Sequence, residues 1–249
     1  MQRPKRLIRQ PQQRPTARQP LERELRRLQD NMLIMGSRVS HNILDAVEIL
    51  KHQDVERAGQ LIADDRLVNA QRYQMEADCL SLIATQNPIA RDLRIIAAVL
   101  AIVTELERIN DYAKGIAKVT CKVGKEPLLP PTSDLPRMAV KAQGMLRRAL
   151  FAFTERDVAL AYAIANLDDE VDALYNQIYT NLVAAVIECP SVAAHANYYL
   201  WAAHNLERTG DRALNICERV IFTVTGKLVE LDHIAPDGDL VEEMVACGS

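Results

Sequence analysis

Two six-residue segments of this chain each place a glutamate and an aspartate four residues apart within apolar surroundings. They are Leu106-Glu107-Arg108-Ile109-Asn110-Asp111 and Leu206-Glu207-Arg208-Thr209-Gly210-Asp211. On an α-helix a four-residue step returns to nearly the same face one turn along, so each pair presents two carboxylates together. Like charges at that spacing destabilise an isolated helix by roughly 0.2–0.5 kcal/mol, and by more where water is excluded. Repeating the arrangement at matching places in two parts of one chain points to a neutralising cation. Asp65 with Asn69, and Asp168 with Asp172, add two further pairs of oxygen-bearing side chains at the same spacing. Oxygen ligands from neighbouring bundle helices are a recurrent way to build a carboxylate metal site. Hard ligands of this kind suit iron, manganese or magnesium and also admit zinc, with His204 as a nearby nitrogen ligand. The plain alternative is that Arg108 and Arg208, each three residues before its aspartate, pair with the acids on a solvated face.

The elements that must position these residues are all helical. Leu21, Leu25, Leu28, Met32, Met35, Val39, Ile43, Ala46 and Leu50 step by three and four, which predicts a helix over 21–51. Asp54 is placed to cap a second helix over 54–85, and Asn87-Pro88 reads as the cap and first position of a third, running to about 122. Gly124 to Ser133 has linker composition, and three more helices are expected over 134–154, 157–188 and 191–226. Within the third, Ile95, Val99, Ile102, Leu106, Ile109, Ala113 and Ile116 form an apolar stripe, with Glu107 and Asp111 beside it. The sixth repeats the stripe with Tyr199, Ala203, Leu206, Gly210, Ala213, Cys217 and Val220.

That correspondence is general. Asp54-Val55-Glu56-Arg57-Ala58 returns as Asp157-Val158-Ala159-Leu160-Ala161, and Asp65 to Asn69 returns as Asp168 to Asp172, both at an offset of 103. Pro88 matches Pro190 at 102, and the two acidic segments match at 100. Landmarks kept in order with so little drift predict a tandem duplication of a three-helix unit. The expected organisation is a basic tail over 1–20, bundles over 21–123 and 134–226 joined by a linker over 124–133, and an acidic tail over 227–249.

Composition agrees. The 249 residues are 49% hydrophobic, 25% charged and only 4% aromatic, a balance suited to interdigitated helices and not to sheets. No run of about 20 apolar residues could span a bilayer, and no secretory leader is evident. Five scattered cysteines without a C-x-x-C pair read as reduced thiols of a cytoplasmic protein. The net charge of −3 conceals a first stretch of 20 residues with six basic side chains and no acid, rich in Gln and Pro and expected to be disordered. The acidic remainder argues against nucleic acid as a partner.

The paired segments resemble the twin LERIGD signatures of the PhoU family. Asn87-Pro88-Ile89-Ala90-Arg91-Asp92-Leu93-Arg94 resembles its QPVARDLR segment, and Met35-Gly36 also fits. The likeness spans about residues 21–226. It implies an all-α protein of two three-helix bundles, homodimeric, with metal ions at Glu107, Asp111, Glu207 and Asp211, helped by Asp65, Asn69, Asp168 and Asp172. It further implies a negative regulator of the phosphate-starvation response that links a phosphate ABC transporter to a sensor histidine kinase, meeting the membrane only through those partners. Asn110 departs from the usual glycine of the first signature, and the segment after Cys189 follows the pattern loosely.

Two other readings compete. A ferritin-like di-metal enzyme needs paired Glu-x-x-His motifs, whereas the one example here is Glu230 with His233 near the C-terminus. A helical adaptor whose acids form salt bridges would bind no metal. Phosphate loops of the G-x-x-x-x-G-K-[ST] or G-x-G-x-x-G type are absent, and no catalytic residue is expected.

Overall fold

The computed structural model describes residues 18–125 and 134–231; residues 1–17 of the expected basic tail, 126–133 of the linker and 232–249 of the expected acidic tail lie outside the described residues, while 18–20, expected in the tail, form the first turn of a helix. Six helices follow one another: α1 Arg18–His52, α2 Val55–Gln86, α3 Arg91–Val123, α4 Asp134–Glu155, α5 Val158–Glu188 and α6 Ala193–Thr225, with a short 3₁₀ turn over Pro190–Val192 before α6. No strand occurs among the described residues. Apart from α4, each helix has more than 30 residues and is about 46–53 Å long.

Rods of this length are held by stripes along their sides. In α1 all nine residues of the expected stripe, from Leu21 to Leu50, are buried. In α2 the inward positions Ala58, Leu61, Asp65, Val68, Met75, Cys79 and Leu82 follow a three-and-four rhythm. Adding 103 to the first four gives Ala161, Ile164, Asp168 and Val171 on the inward side of α5, with Leu174, Ile178 and Leu182 continuing it. The duplication is thus visible as two copies of one packing register. Helices α1, α2 and α3 pack together, as do α4, α5 and α6, and the two units join through α3 against α6 and α1 against α4. Because α3 meets neighbours on several sides, Ile96, Ala98, Val103, Ala117 and Val119 are buried in addition to its predicted stripe.

Local signals set most boundaries. The Asp54 carboxylate accepts from Arg57 N at 3.0 Å and the Asp157 carboxylate from Leu160 N at 2.9 Å, so both copies of α2 and α5 begin on an aspartate cap. The Asn87-Pro88 reading needs correction. Asn87 closes α2 in the left-handed region (φ 45, ψ 56) and α3 begins only at Arg91. Proline disfavours the right-handed helical conformation at the residue before it, and asparagine tolerates the left-handed one. Past Gly226 the chain stays anchored for a few residues: Leu231 is buried and its backbone N–H donates to Glu218 Oε1 at 3.2 Å.

Cys79 and Cys217 are buried, and burial, with help from nearby acids, pushes each thiol up to about 12. Cys121 and Cys189 are exposed. Since only thiolate reacts readily, iodoacetamide at pH 8 should modify Cys121 and Cys189 in the native chain and leave Cys79 and Cys217 untouched. Peptide mapping by mass spectrometry checks this; labelling of Cys79 without denaturant would contradict the packing of α2.

Candidate functional site

In the first bundle the acids of α3 face the inward stripe of α2. Asp65 is buried, and its Oδ1 accepts from Asn110 Nδ2 at 2.9 Å. Its Oδ2 accepts from Asn69 Nδ2 at 3.0 Å and from Lys114 Nζ at 2.7 Å. Lys114 also reaches Asp111 Oδ1 at 2.9 Å, while Asn42 of α1 donates to Asn110 Oδ1 at 2.7 Å. Glu107 pairs with the guanidinium of Arg72, Nη1 to Oε2 3.2 Å. Burial opposes the charge on Lys114, but its bonds to Asp65 and Asp111 outweigh that and hold the ammonium above the usual lysine range. Burial, joined by repulsion from Asp111, raises the Glu107 carboxyl despite the attraction of Arg72. The cations on these acids are therefore Lys114 and Arg72, and Arg108 stays exposed.

The second bundle keeps the acids and changes what surrounds them. At the offset of 103, Tyr175 stands in place of Arg72 and Asp172 in place of Asn69; at the offset of 100, Leu214 replaces Lys114, Gly210 replaces Asn110 and His204 replaces Thr104. A methyl group on Gly210 would come within 2.5 Å of Asp168 Oδ1, so the missing side chain lets α5 bring a carboxylate directly onto the α6 backbone. Glu207 Oε2 is buried and accepts no hydrogen bond; His204 Nδ1 lies 3.2 Å away without the alignment of a donor. Burial raises the Glu207 carboxyl, Asp211 and Asp172 raise it further, and His204 acts in the opposite direction. Burial likewise raises Asp172, helped by Asp169. Arg208 lies over the ring of Tyr112, 4.9 Å from its centroid.

Each predicted pair is thus brought to its α2–α3 or α5–α6 seam, but the two seams differ in their fitness for a metal. In the first, protein cations already sit on the carboxylates. In the second, a buried carboxylate oxygen lacks a hydrogen-bond donor and the donor set, oxygens with one imidazole, suits a hard or borderline ion. Among the described residues no three His, Cys, Asp or Glu side chains stand close enough together to hold one ion, so a metal would have to draw them in. Sequence reasoning missed Lys114, Arg72 and Tyr175. Arg72 falls seven residues after Asp65, two turns along the same stripe, which was the available signal.

A raised carboxyl has a definite sign in stability. The folded chain retains its proton to higher pH than the unfolded chain, so stability falls as pH rises from the ordinary carboxylate range through the raised value. Glu207→Gln removes that loss. Without metal at neutral pH the variant should be more stable by about 0.5–1 kcal/mol, since a buried charge beside like charges is gone. Thermal melts in chelator across pH 4–8 check this; a variant that is less stable at pH 7 would rule out the strained environment described.

Comparison with known proteins converges on one family. The sequence model described as PhoU domain matches residues 32–120 and 135–220, one copy in each bundle. A phosphate-specific transport system accessory protein PhoU homolog of Clostridium acetobutylicum is 35% identical over 216 residues, covering 86% of this chain and 99% of that protein. A homolog of the same description from Deinococcus radiodurans is 35% identical over 209 residues, 84% of this chain and 98% of that protein. The crystal structure of the phosphate transport system regulatory protein PhoU from Streptococcus pneumoniae superimposes with a TM-score of 0.79 at 28% identity, over 84% of this chain and 99% of the other. PhoU from Pseudomonas aeruginosa does so with a TM-score of 0.78 at 32% identity, over 83% and 100%. With both bundles matched in sequence and the six-helix arrangement matched in space, the chain belongs to the PhoU family.

Proposed function

We propose that this chain is a non-catalytic regulator of phosphate uptake, a cytoplasmic, homodimeric protein that restrains the phosphate-starvation response by coupling a phosphate ABC transporter to a sensor histidine kinase. The observation that supports this most is the duplicated PhoU domain over nearly all of the folded chain, in relatives described as accessory and regulatory proteins of phosphate transport. Among the described residues no helix is long and apolar enough to cross a membrane, which fits contact with the transporter from outside the bilayer.

Metal ions, iron, manganese, magnesium or zinc, belong to this reading at the acidic seams. Glu207, Asp211, Asp168 and Asp172 are the second-half ligands, and Glu107, Asp111, Asp65 and Asn69 are their first-half counterparts. A bound cation would offset the carboxylates and provide positive charge towards an anion such as phosphate. The residues themselves fix the geometry: two rigid helices hold the acids at one-turn spacing, and the buried stripes keep the seams from splaying.

A reporter driven by phosphate starvation tests the regulatory reading. In high-phosphate medium it should be on in a strain lacking this gene and off once the gene is restored. A reporter off in both strains would show that this copy does not control the response.

A further inference from the structure

The outward face of α4 differs in kind from that of α1, its counterpart in the first bundle. At the offset of 103 their buried stripes coincide, with Met35, Val39 and Ile43 falling on Met138, Ala142 and Leu146. The outward positions then correspond one to one. Ser37, His41, Asp45 and Glu48 give α1 a polar face; the matching residues of α4 are Val140, Gly144, Arg148 and Phe151. These step by four, four and three, so they share one side of the helix. Val140 and Phe151 are each 58% exposed. Between α4 and α5 this side opens into a groove of about 760 Å³, lined also by Leu167 and Glu170 of α5 and by Lys141 and Arg147. Lys141 is paired with Glu170, whereas Arg147 and Arg148 are exposed and form no salt bridge among the described residues. A cationic groove with exposed apolar side chains, in a chain of net negative charge, is complementary to a segment that is acidic and apolar by turns.

This chain carries such a segment. From residue 232 onward it has five acids, Asp232, Asp237, Asp239, Glu242 and Glu243, and no lysine or arginine. Leu240, Val241, Met244 and Val245 are interleaved with the last three acids. The segment lies beyond the family match, which ends at residue 220. Its point of departure is close to the groove. Leu231 is fastened to Glu218 of α6, and α6 runs parallel to α4 because short connections make each antiparallel to α5. A methyl group on Gly210 of α6 would stand 3.6 Å from Met145 of α4, which sets the register between them. Glu218 lies eight residues past Gly210 and Phe151 six past Met145. At about 1.5 Å per residue the two are within about 3 Å of one level. From Leu231 to Asp239 an extended chain reaches about 26–29 Å, more than twice the diameter of a helix, which suffices to pass around the bundle to the outer side of α4.

We propose that the acidic segment 237–245 of this chain docks in its own α4–α5 groove, its carboxylates against Arg147 and Arg148 and its apolar residues against Val140 and Phe151. Docking neutralises the two arginines from within the chain and takes exposed apolar surface out of water. While the tail is in place, the outer side of the second bundle is closed to any other acidic segment, so the tail competes with acidic partners for that groove.

Disulfide trapping in the full chain tests this. Cys121→Ser and Cys189→Ser remove the two exposed thiols and Cys79 and Cys217 are buried, which leaves Cys247 to react. A second thiol comes from Gly144→Cys, where a Cβ meets nothing within 4 Å, or from His41→Cys at the matching place on α1 as control. Sixteen residues separate Leu231 from Cys247, a reach of about 53–58 Å, so tether length alone admits both sites. Under oxidation by copper phenanthroline, read by peptide mass spectrometry, Gly144→Cys should join Cys247 within one chain at least about 10-fold faster than His41→Cys does. Adding Arg147→Glu with Arg148→Glu should slow the Gly144→Cys reaction by about 10-fold, since two attractive surface pairs become repulsive. Should Gly144→Cys fail to fold by circular dichroism, Val140→Cys takes its place, with Ser37→Cys as its control. Equal rates at the two sites, or a fast rate that charge reversal leaves unchanged, would overturn the proposal. A disulfide formed only between chains would assign the groove to the tail of a second copy and would overturn it as well.

Discussion

Lys114→Leu should destabilise the metal-free chain by about 3 kcal/mol, near the lower end of the cost of removing one partner from a buried ion pair. Asp65 is the reason. Its side chain is 7% exposed, and Lys114 is the only cation within salt-bridge distance of it among the described residues. Removing the ammonium leaves a carboxylate among Ala58, Leu61 and Val68, still held by Asn69 and Asn110 but without a counter-charge. Lys114 itself is 23% exposed, so water recovers part of the loss, which is why the lower end applies. For a chain of this size each kcal/mol moves the melting temperature by about 2–4 °C, so a fall of roughly 6–12 °C is expected. The double variant Asp65→Asn with Lys114→Leu should recover most of it, because no buried charge then remains; the coupling between the two sites isolates the pair. If Lys114→Leu melts with the unaltered chain, Asp65 is hydrated in solution and the packed seam is not as described.

The register of the fold was legible because it is written twice. Ile95 to Ile116 and Tyr199 to Val220 follow the same rhythm, every one of these residues except Gly210 can be read as apolar packing, and all of them are buried. Aspartate caps at 54 and 157 marked two helix starts on chemistry that is local to a few residues. Asn87-Pro88 failed for an equally local reason: the same dipeptide satisfies the rules for a helix start and, with asparagine left-handed, those for a helix end. Only the tertiary path between α2 and α3 decides between them.

The acids were legible and their partners were not. Periodicity places Glu107 and Asp111 on one face, yet pairing between helices depends on how α2 lies against α3. Arg108 and Arg208 suggested themselves because they are near in sequence. The observed pairs join residues 35 and 49 positions apart, Arg72 with Glu107 and Lys114 with Asp65. The difference between the halves could still have been reached by carrying the repeat past its signature. Lys114 against Leu214 and Arg72 against Tyr175 are then plain exchanges of charge for none. In a duplicated protein the positions that stop matching deserve the same scrutiny as those that match.

Replacing Gly115 with leucine should cost about 3 kcal/mol, because it acts where the two copies join. Gly115 is buried on α3, and a Cβ there would stand 3.1 Å from Asn205 Nδ2 and 3.6 Å from Asn205 Cγ on α6. An alanine asks Asn205 to yield by a few tenths of an ångström and gains about 1 kcal/mol of helix propensity over glycine, so Gly115→Ala should be close to neutral. A leucine adds three more carbons and must push the helices apart, at a cost of about 1–3 kcal/mol for overpacking alone. The damage spreads along the seam, since Glu105 on α3 holds Arg212 at 3.5 Å and Asn215 at 3.3 Å on α6, and Arg208 covers Tyr112. Separation strips those contacts as well, which places the expected loss at the upper end of that range. Urea unfolding followed by circular dichroism should therefore show Gly115→Leu with an earlier midpoint and Gly115→Ala almost superimposed on the unaltered chain. Equal curves for all three would mean that α3 and α6 are not tightly apposed, and the two bundles would then be independent folding units.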